Sequence, residues 1–403
     1  MALDRISNLP SNVVENILSR LSIKEAVRTS VLSSNWRYKT AMLPHLVFDD
    51  RCYSNKNLTT FENIVNQVLL LHIGPINTFK LSHRDHLATS DIDRWILHLS
   101  RNSIKELILD IWKGDPYKVP SCLFSCQDLV HLELYNCLLK PPSTFKGFKS
   151  LKSLDIRLIT LAPDVFDKMI VCSPLLEKLT VVYIDGLTRL KIGAPNLQYL
   201  KVNVSIALDG SYDQRLVPGI CSNLVKFFVH LPHIRRLKIK SFFLQRINSL
   251  ILLPSASFLL QYLAIGDLPE KFPEPLLSLN YLSLIIRFKH LKELLTALFL
   301  LRNSPSLKVL SILAEEDQAV LVEEAKYSLD DNENCQLTQL RIVTIIGVSG
   351  VETELDFIRF LLSNAPVLKR MTVKPASVNG ELVKKLLRFR RASAFAEIIY
   401  MDP

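Results

Sequence analysis

Cys122, Cys126 and Cys137 come nearest in this sequence to a metal-ligand cluster. A structural zinc site built on such thiolates needs four ligands, usually as two close pairs. No second close pair follows, so these cysteines read as buried packing. His83-Arg84-Asp85-His86 and His230-Leu231-Pro232-His233 each place two histidines three residues apart. In the second, Pro232 breaks the helix that paired ligation requires, and the first reads as loop polarity. Gly347-Val348-Ser349-Gly350 lacks the glycine spacing of a nucleophile elbow. The acids between residues 315 and 334 sit in a charge run that reads as solvated surface. The basic stretch from Lys384 to Arg391 has only Phe389 as an aromatic partner, so a nucleic-acid role is not expected. No catalytic residue, metal or cofactor emerges. An enzyme would need a closed pocket with converging titratable groups, so binding is the chemistry to explain.

Length and composition agree with that. The chain has 403 residues, 48% of them hydrophobic, enough for two or three domains and a large core. Glycine is scarce, at 11 residues, and neither G-x-G-x-x-G nor G-x-x-x-x-G-K occurs, which argues against phosphate-cradling loops. The formal charge of +10 favours acidic partners without choosing between protein and nucleic acid. Apolar runs such as Leu294–Leu301 are too short to span a bilayer. The first thirty residues carry Asp4, Arg5, Glu15, Arg20 and Lys24, unlike a secretory leader. The seven cysteines therefore read as reduced thiols in a cytoplasmic or nuclear protein.

Most of the chain carries one rhythm, L-x-x-L-x-L. In five copies a proline stands two residues ahead: Pro174, Pro195, Pro232, Pro305 and Pro366. Copies without it begin at Ile104, Leu129, Leu151, Leu187 and Leu279. The last two apolar positions are two apart and fit one face of a short strand. Helical spacing precedes several copies, as in Leu291, Leu294, Leu295 and Leu298 before Pro305, and Leu355, Ile358, Leu361 and Leu362 before Pro366. A helix, a turn and a strand recurring every ~20–30 residues is the mark of a leucine-rich repeat. Close pairs near Leu187 and Leu197, and near Leu224 and Ile234, leave no room for a helix. The expected fold is α/β: an irregular solenoid with parallel strands on its concave face and helices outside. A closed α/β fold with ordinary parallel strands is the alternative. The repeats are expected over 76–314, an acidic loop over 315–334, and a closing segment over 335–403 with a basic helix from Glu381 to Arg391 and a strand from Phe395 to Tyr400. Residues 51–75 read as a connector helix.

The first fifty residues differ. Leu9, Val13, Val14, Ile17, Leu18, Leu21, Ile23, Ala26, Val27, Val31, Leu32 and Trp36 recur at helical spacing in short segments. Pro10 suits a first helical turn, and Ser22 with Glu25 forms a capping-box pattern. A three-helix unit this small has more apolar side chains than it can bury.

This stretch resembles an F-box of the plant type. The matching residues are Asp4, Ile6, Leu9-Pro10, Ile17-Leu18, Leu21, Ala26-Val27, Thr29 to Ser33, Trp36-Arg37 and the trailing Leu43-Pro44, Leu46, Phe48, Asp49 and Asp50. Ser22, Asn35 and Thr40 depart from the usual proline, basic residue and second tryptophan. An ordinary helical cap on a larger domain is the bland alternative. Leu337–Val373, with its glycine turn and Asn364-Ala365-Pro366 exit, resembles the FBD domain of the same plant F-box/FBD/LRR-repeat proteins.

The resemblance implies a substrate-recognition subunit of an SCF-type ubiquitin ligase. The F-box over 1–50 would dock a Skp-like adaptor, which joins it to a cullin–RING scaffold, and the repeats would hold the protein to be ubiquitinated. A repeat scaffold acting without a ligase is the alternative. By matching position, Leu9, Pro10, Ile17, Leu18, Leu21, Leu32 and Trp36 supply the adaptor contact or the packing that presents it. Outward strand positions pass from Glu106, Asp110, Glu133, Tyr135 and Asp155 to Lys178, Arg189, Lys191, Lys201, Lys226, Arg236, Lys238 and Lys240. That basic stripe is a candidate receptor for an acidic or phosphorylated segment, set against the plainer need for solubilising charge.

Overall fold

The computed structural model describes residues 9–52, 61–85, 87–185, 192–203, 228, 231–240, 275–315, 336–377 and 380–402. The chain divides into two compact units, Met1–Leu187 and Thr188–Pro403. The first begins with three short helices, α1 (Ser11–Arg20), α2 (Ile23–Thr29) and α3 (Ser34–Ala41). Parallel strands follow: β1 (His45–Phe48), β2 (Thr78–His83), β3 (Glu106–Ile111), β5 (His131–Leu138), β6 (Ser153–Thr160) and β7 (Lys178–Asp185), paired in that order. The two-residue β4 (Tyr117–Lys118) pairs with β5. Helices α4 (Phe61–Leu71), α5 (Thr89–Ser100) and α6 (Pro163–Val171) lie between strands in sequence.

The second unit holds β8 (Tyr199–Asn203), β9 (Arg236–Ile239), β10 (Tyr281–Ile286), β11 (Val309–Ala314), β12 (Ile342–Val348), β13 (Arg370–Pro375) and β14 (Glu397–Tyr400), again parallel and in chain order. Its helices are α7 (Leu291–Arg302), α8 (Glu352–Asn364) and α9 (Gly380–Arg388). The helix-then-strand rhythm expected before Pro305 and Pro366 is present as α7–β11 and α8–β13. The copy at Leu187 and the acidic loop beyond Glu315 lie outside the described residues.

One device repeats through both units. The carbonyl just before a strand accepts N–H bonds from the two residues at the start of the next. Asn77 serves Lys105 and Glu106, Lys105 serves Val130 and His131, and Arg235 serves Asn280 and Tyr281, all at 2.9–3.1 Å or shorter. Register follows, and the alternating apolar residues form continuous buried columns. Leu176, Leu179 and Val181 of one copy are buried, as are Leu307, Leu310 and Ile312 of another.

The motif prolines have a sharper role than marking where strands begin. Each occupies the second position of a turn closed by the first leucine: Leu176 N to Ser173 O, Leu197 N to Ala194 O, Ile234 N to Leu231 O, Leu307 N to Ser304 O and Leu368 N to Ala365 O. Proline's fixed φ suits that position. The preceding helix is finished by side chains that fold back one turn. Asn303 Nδ2 donates to Phe299 O at 2.8 Å, Asn364 Nδ2 to Phe360 O at 2.9 Å, and Ser304 Oγ to Leu300 O at 2.6 Å.

Gly347-Val348-Ser349-Gly350 is a strand-to-helix turn. The Ser349 and Gly350 N–H groups donate to Glu354 Oε2 at 2.9 and 2.7 Å. Burial pushes the Glu354 carboxyl above its usual range, against the pull of those donors. His83 stacks on Phe61 with ring centroids 4.2 Å apart, and its Nδ1 lies 3.3 Å from Asp50 Oδ1. His86 and His230 lie outside the described residues.

Cys126 and Cys137 are buried, and burial pushes their thiols up to about 11 and about 12. Thiolate is the reactive form. In mildly alkaline buffer a thiol reagent is therefore expected to modify these two only after unfolding. Mass mapping that finds them labelled in the native chain would contradict their placement.

Candidate functional site

Helices α1, α2 and α3 contain 10, 7 and 8 residues, too short to persist alone in water. Caps and packing hold them. Ser22 and Glu25 form the expected capping box, with Ser22 N to Glu25 Oε2 at 3.0 Å and Glu25 N to Ser22 Oγ at 3.3 Å. Ser33 Oγ accepts from Trp36 N at 3.3 Å and starts α3. The interior takes Val14, Leu18, Ile23, Ala26, Trp36 and Leu43. Thr40 Oγ1 donates to Ala26 O at 3.2 Å, and Lys39 pairs with Glu15 at 3.1 Å.

That interior divides the residues expected to supply the adaptor contact or the packing that presents it. Leu18 is 1% exposed and Trp36 3%, so they fall on the packing side. Leu9 and Leu21 are half-buried and Pro10 is exposed. Ile17 and Leu32 remain at the surface, where Val13, Val27, Val31 and Tyr38 join them. Val31 is 80% exposed and Leu32 53%. Six apolar or aromatic side chains are thus exposed on a unit of about thirty residues, the kind of surface that interaction sites use. Sequence reading missed the added four because helical periodicity does not reveal which face a neighbour covers.

The helical unit is sewn to the sheet. Pro44 O accepts from Asn77 N and Thr78 N at 2.8 and 3.0 Å, the same device that starts β3, β5, β6, β7 and β9 to β13. Ile73 N donates to Ala41 O at 3.0 Å, and His72 Nε2 lies 2.9 Å from Leu43 O. Gly74 sits so close to Met42 that a Cβ would lie 3.3 Å from its backbone. The first strand therefore falls inside the expected F-box stretch, ahead of Ile76 where the repeats were expected to begin.

The side of the sheet opposite the core differs between units. In the first unit its polar groups satisfy one another. Thr78 Oγ1 donates to Glu106 Oε2 and Ser82 Oγ to Asp110 Oδ2, both at 2.9 Å. Arg157 Nη2 bonds Asp155 Oδ2 at 2.7 Å and lies 3.5 Å from Glu133. The His131 side chain, and after it Arg157, hold Glu133 below the usual carboxylate range. Trp112 tilts against Tyr135 with centroids 4.9 Å apart. The acidic positions expected here are present, with Asp155 buried.

Of the expected basic stripe, Lys178 stands on β7 of the first unit. Lys201 and Lys238 are neighbours across β8 and β9 in the second, with Arg236 two residues from Lys238. Arg236 lies 4.9 Å and Lys238 5.6 Å from the centre of the Tyr281 ring. Lys240, also of that stripe, pairs with Glu315 at 3.3 Å. Arg189, Lys191 and Lys226 lie outside the described residues.

A cleft of about 420 Å³ lies between α1, α2 and β1, bordered by Arg20, Ser22, Pro44 and Asp49. Among the described residues, no three His, Cys, Asp or Glu side chains converge as a metal site. No helix among them is long and apolar enough to cross a membrane.

Comparison with known proteins places these features in one family. An F-box domain model matches residues 6–46, and the At1g61320/AtMIF1 LRR domain model matches residues 68–393. The F-box/FBD/LRR-repeat protein At1g13570 of Arabidopsis thaliana is 39% identical over 99% of both chains. The FBD-associated F-box protein At4g10400 of the same plant is 27% identical over 98% of this chain and 99% of its own. A third, the F-box/FBD/LRR-repeat protein At5g56420, is 25% identical over 98% and 99%. With a helical F-box, a parallel repeat sheet and full-length relatives that share both, the chain belongs to the F-box/FBD/LRR-repeat protein family of plants.

Proposed function

We propose that this protein is the substrate-recognition subunit of an SCF-type ubiquitin ligase, acting in the cytoplasm or nucleus. The observation that carries this reading is the apolar surface of the F-box. Its core is closed by Leu18 and Trp36, yet Val13, Ile17, Val27, Val31 and Leu32 stay exposed. A Skp-like adaptor covers that surface and links the chain to a cullin–RING scaffold. The repeats, with residues 335–403 as an FBD domain, hold the target. The chain itself performs no bond chemistry. Its contribution is effective concentration, keeping a target lysine near a loaded conjugating enzyme.

The test is co-purification of the full-length chain with a plant Skp-like adaptor, beside a variant carrying Val31→Asp and Leu32→Asp. The wild type is expected to form a stable complex. The variant is expected to lose at least about tenfold in affinity, or 1.4 kcal/mol, with an unchanged melting temperature because neither side chain is in the core. No wild-type complex, or equal binding by the variant, overturns the ligase reading and leaves a repeat-based binding protein.

A further inference from the structure

On the outward side of β8–β13 the ladder registers align three rows. The first runs Tyr199, Arg236, Tyr281, Val309, Ile342, Arg370. The second runs Lys201, Lys238, Ser283, Ser311, Thr344, Thr372. The third runs Ile285, Leu313, Ile346, Lys374. The centre, on β10–β12, is thus a lane of hydroxyls between an aliphatic lane, Ile285, Leu313 and Ile346, and a lane in which Val309 and Ile342 follow Tyr281. Leu313, Ile342 and Ile346 are exposed there, although they have the residue types of a core. Both ends are basic, with Lys201, Arg236 and Lys238 on one side and Arg370 and Lys374 on the other.

Solubility does not account for this pattern. The same rows in the first unit carry mostly charged and hydroxyl groups, several of which bond one another, with Val47, Ile108 and Val182 as single aliphatic positions among them. In the second unit the middle is uncharged, its aliphatic side chains stand side by side on neighbouring strands, and no carboxylate stands in the rows from β8 to β13. Among the described residues, carboxylates stand only at its margins: Glu397 registers beside Arg370 from β14, and Glu315, two residues past Leu313, pairs with Lys240.

We propose that this face receives an extended segment of the target protein, with aliphatic residues in its middle and carboxylates at its two ends. The proposal deepens the reading of the repeats as a target receptor and rests on it. Charge complementarity selects the ends, since cations flank the patch and its interior has no charge to repel or desolvate. The hydroxyl lane supplies donors and acceptors to an extended backbone, and the lanes flanking it take alternating side chains. The distance from β9 to β13 is four strand spacings, about 19 Å at ~4.8 Å each, which an extended chain crosses in about six residue steps. The recognised pattern is therefore two acidic residues about six apart with aliphatic residues between them.

The probe is a labelled heptapeptide with aspartate at each end and isoleucine at its third, fourth and fifth positions, so that both lanes are met. Its binding to the full-length chain is read by fluorescence anisotropy. The wild type is expected to bind it. Leu313→Ser with Ile346→Ser, and separately Lys238→Glu, are expected to weaken binding at least tenfold, with Lys105→Glu in the first unit as an unaffected control. Absence of wild-type binding, or equal binding by the aliphatic variant, overturns the proposal. So does equal binding of a heptapeptide with lysine ends. Self-association in sedimentation that the aliphatic variant abolishes also overturns it, by showing that a second copy covers the face. Adaptor co-purification of the same variants separates the two readings. Loss of peptide with adaptor retained supports this face as the receptor. Absence of adaptor binding with peptide retained removes only the ligase.

Discussion

Trp36→Ala is expected to unfold the N-terminal helical unit, at a cost of roughly 3–5 kcal/mol. The indole is 3% exposed and shares the interior with Val14, Leu18, Ile23 and Ala26. Three helices of 10, 7 and 8 residues have little stability of their own, so the packing of this one side chain is a large share of what holds them. Amide exchange checks it: protection over residues 11–41 is expected to collapse while the strands beyond Thr78 keep theirs. The result bears on how adaptor binding is tested. Polar substitution of Leu18 or Trp36 is expected to abolish the proposed adaptor binding by melting the surface that presents it, whereas Val31→Asp with Leu32→Asp is expected to abolish it in a folded chain. If Trp36→Ala keeps its thermal stability and still loses the adaptor, the indole belongs to the interface after all.

The second large effect is expected at Gly147. Its φ is +85°, and an added Cβ would lie 2.3 Å from both the Cβ and the carbonyl oxygen of Cys172. A left-handed backbone costs an L-residue about 1–2 kcal/mol, and overlap with a main-chain atom cannot be relieved by rotating a side chain. Gly147→Ala is expected to lose roughly 2–5 kcal/mol in chemical denaturation. The site lies where no helix joins β5 to β6. Phe124, Phe145 and Phe148 fill that space, with centroids 5.1–6.3 Å apart. Gly147 brings this aromatic cluster against the end of α6. Gly380→Ala is the control: nothing lies within 4 Å of its added Cβ, and the change is expected to stay within about 1 kcal/mol. Equal effects at the two glycines would refute the close approach.

Much of this architecture was legible in the residues. The strands of the repeats could be read because their apolar positions alternate and a single leucine ahead of each strand closes the turn. Helices α7 and α8 could be read because leucines recur at helical spacing before an Asn-x-Pro exit. What escaped was sidedness. Leu18 and Leu32 are the same residue type in the same short unit, yet one is core and the other surface, and only the packing of α3 decides which. Ile285, Leu313 and Ile346 escaped for a related reason. They are ordinary strand residues by type, and only their odd-numbered place in the ladder turns them away from the core. The pairing of Lys240 escaped because nothing local in the chain foretells that Glu315, far along the sequence, returns to its side. Strand β1 was hidden because His45–Phe48 had already been absorbed into a helical motif.

That hidden strand has a consequence for how such proteins exchange parts. Pro44 O is the acceptor for Asn77 and Thr78, and β1 registers residue for residue on β2, from His45 beside Thr78 to Phe48 beside Leu81. The seam between the helical module and the repeats therefore runs through a hydrogen-bond ladder and not through a linker. A chain cut at residue 50 would leave Thr78–His83 as a bare sheet edge, with the aggregation hazard that unpaired strands carry. A graft of another F-box onto these repeats has to bring a strand that fits that edge. Inheritance of the two modules is then linked by backbone geometry, and a swap made at the motif boundary transplants a surface while discarding its foundation.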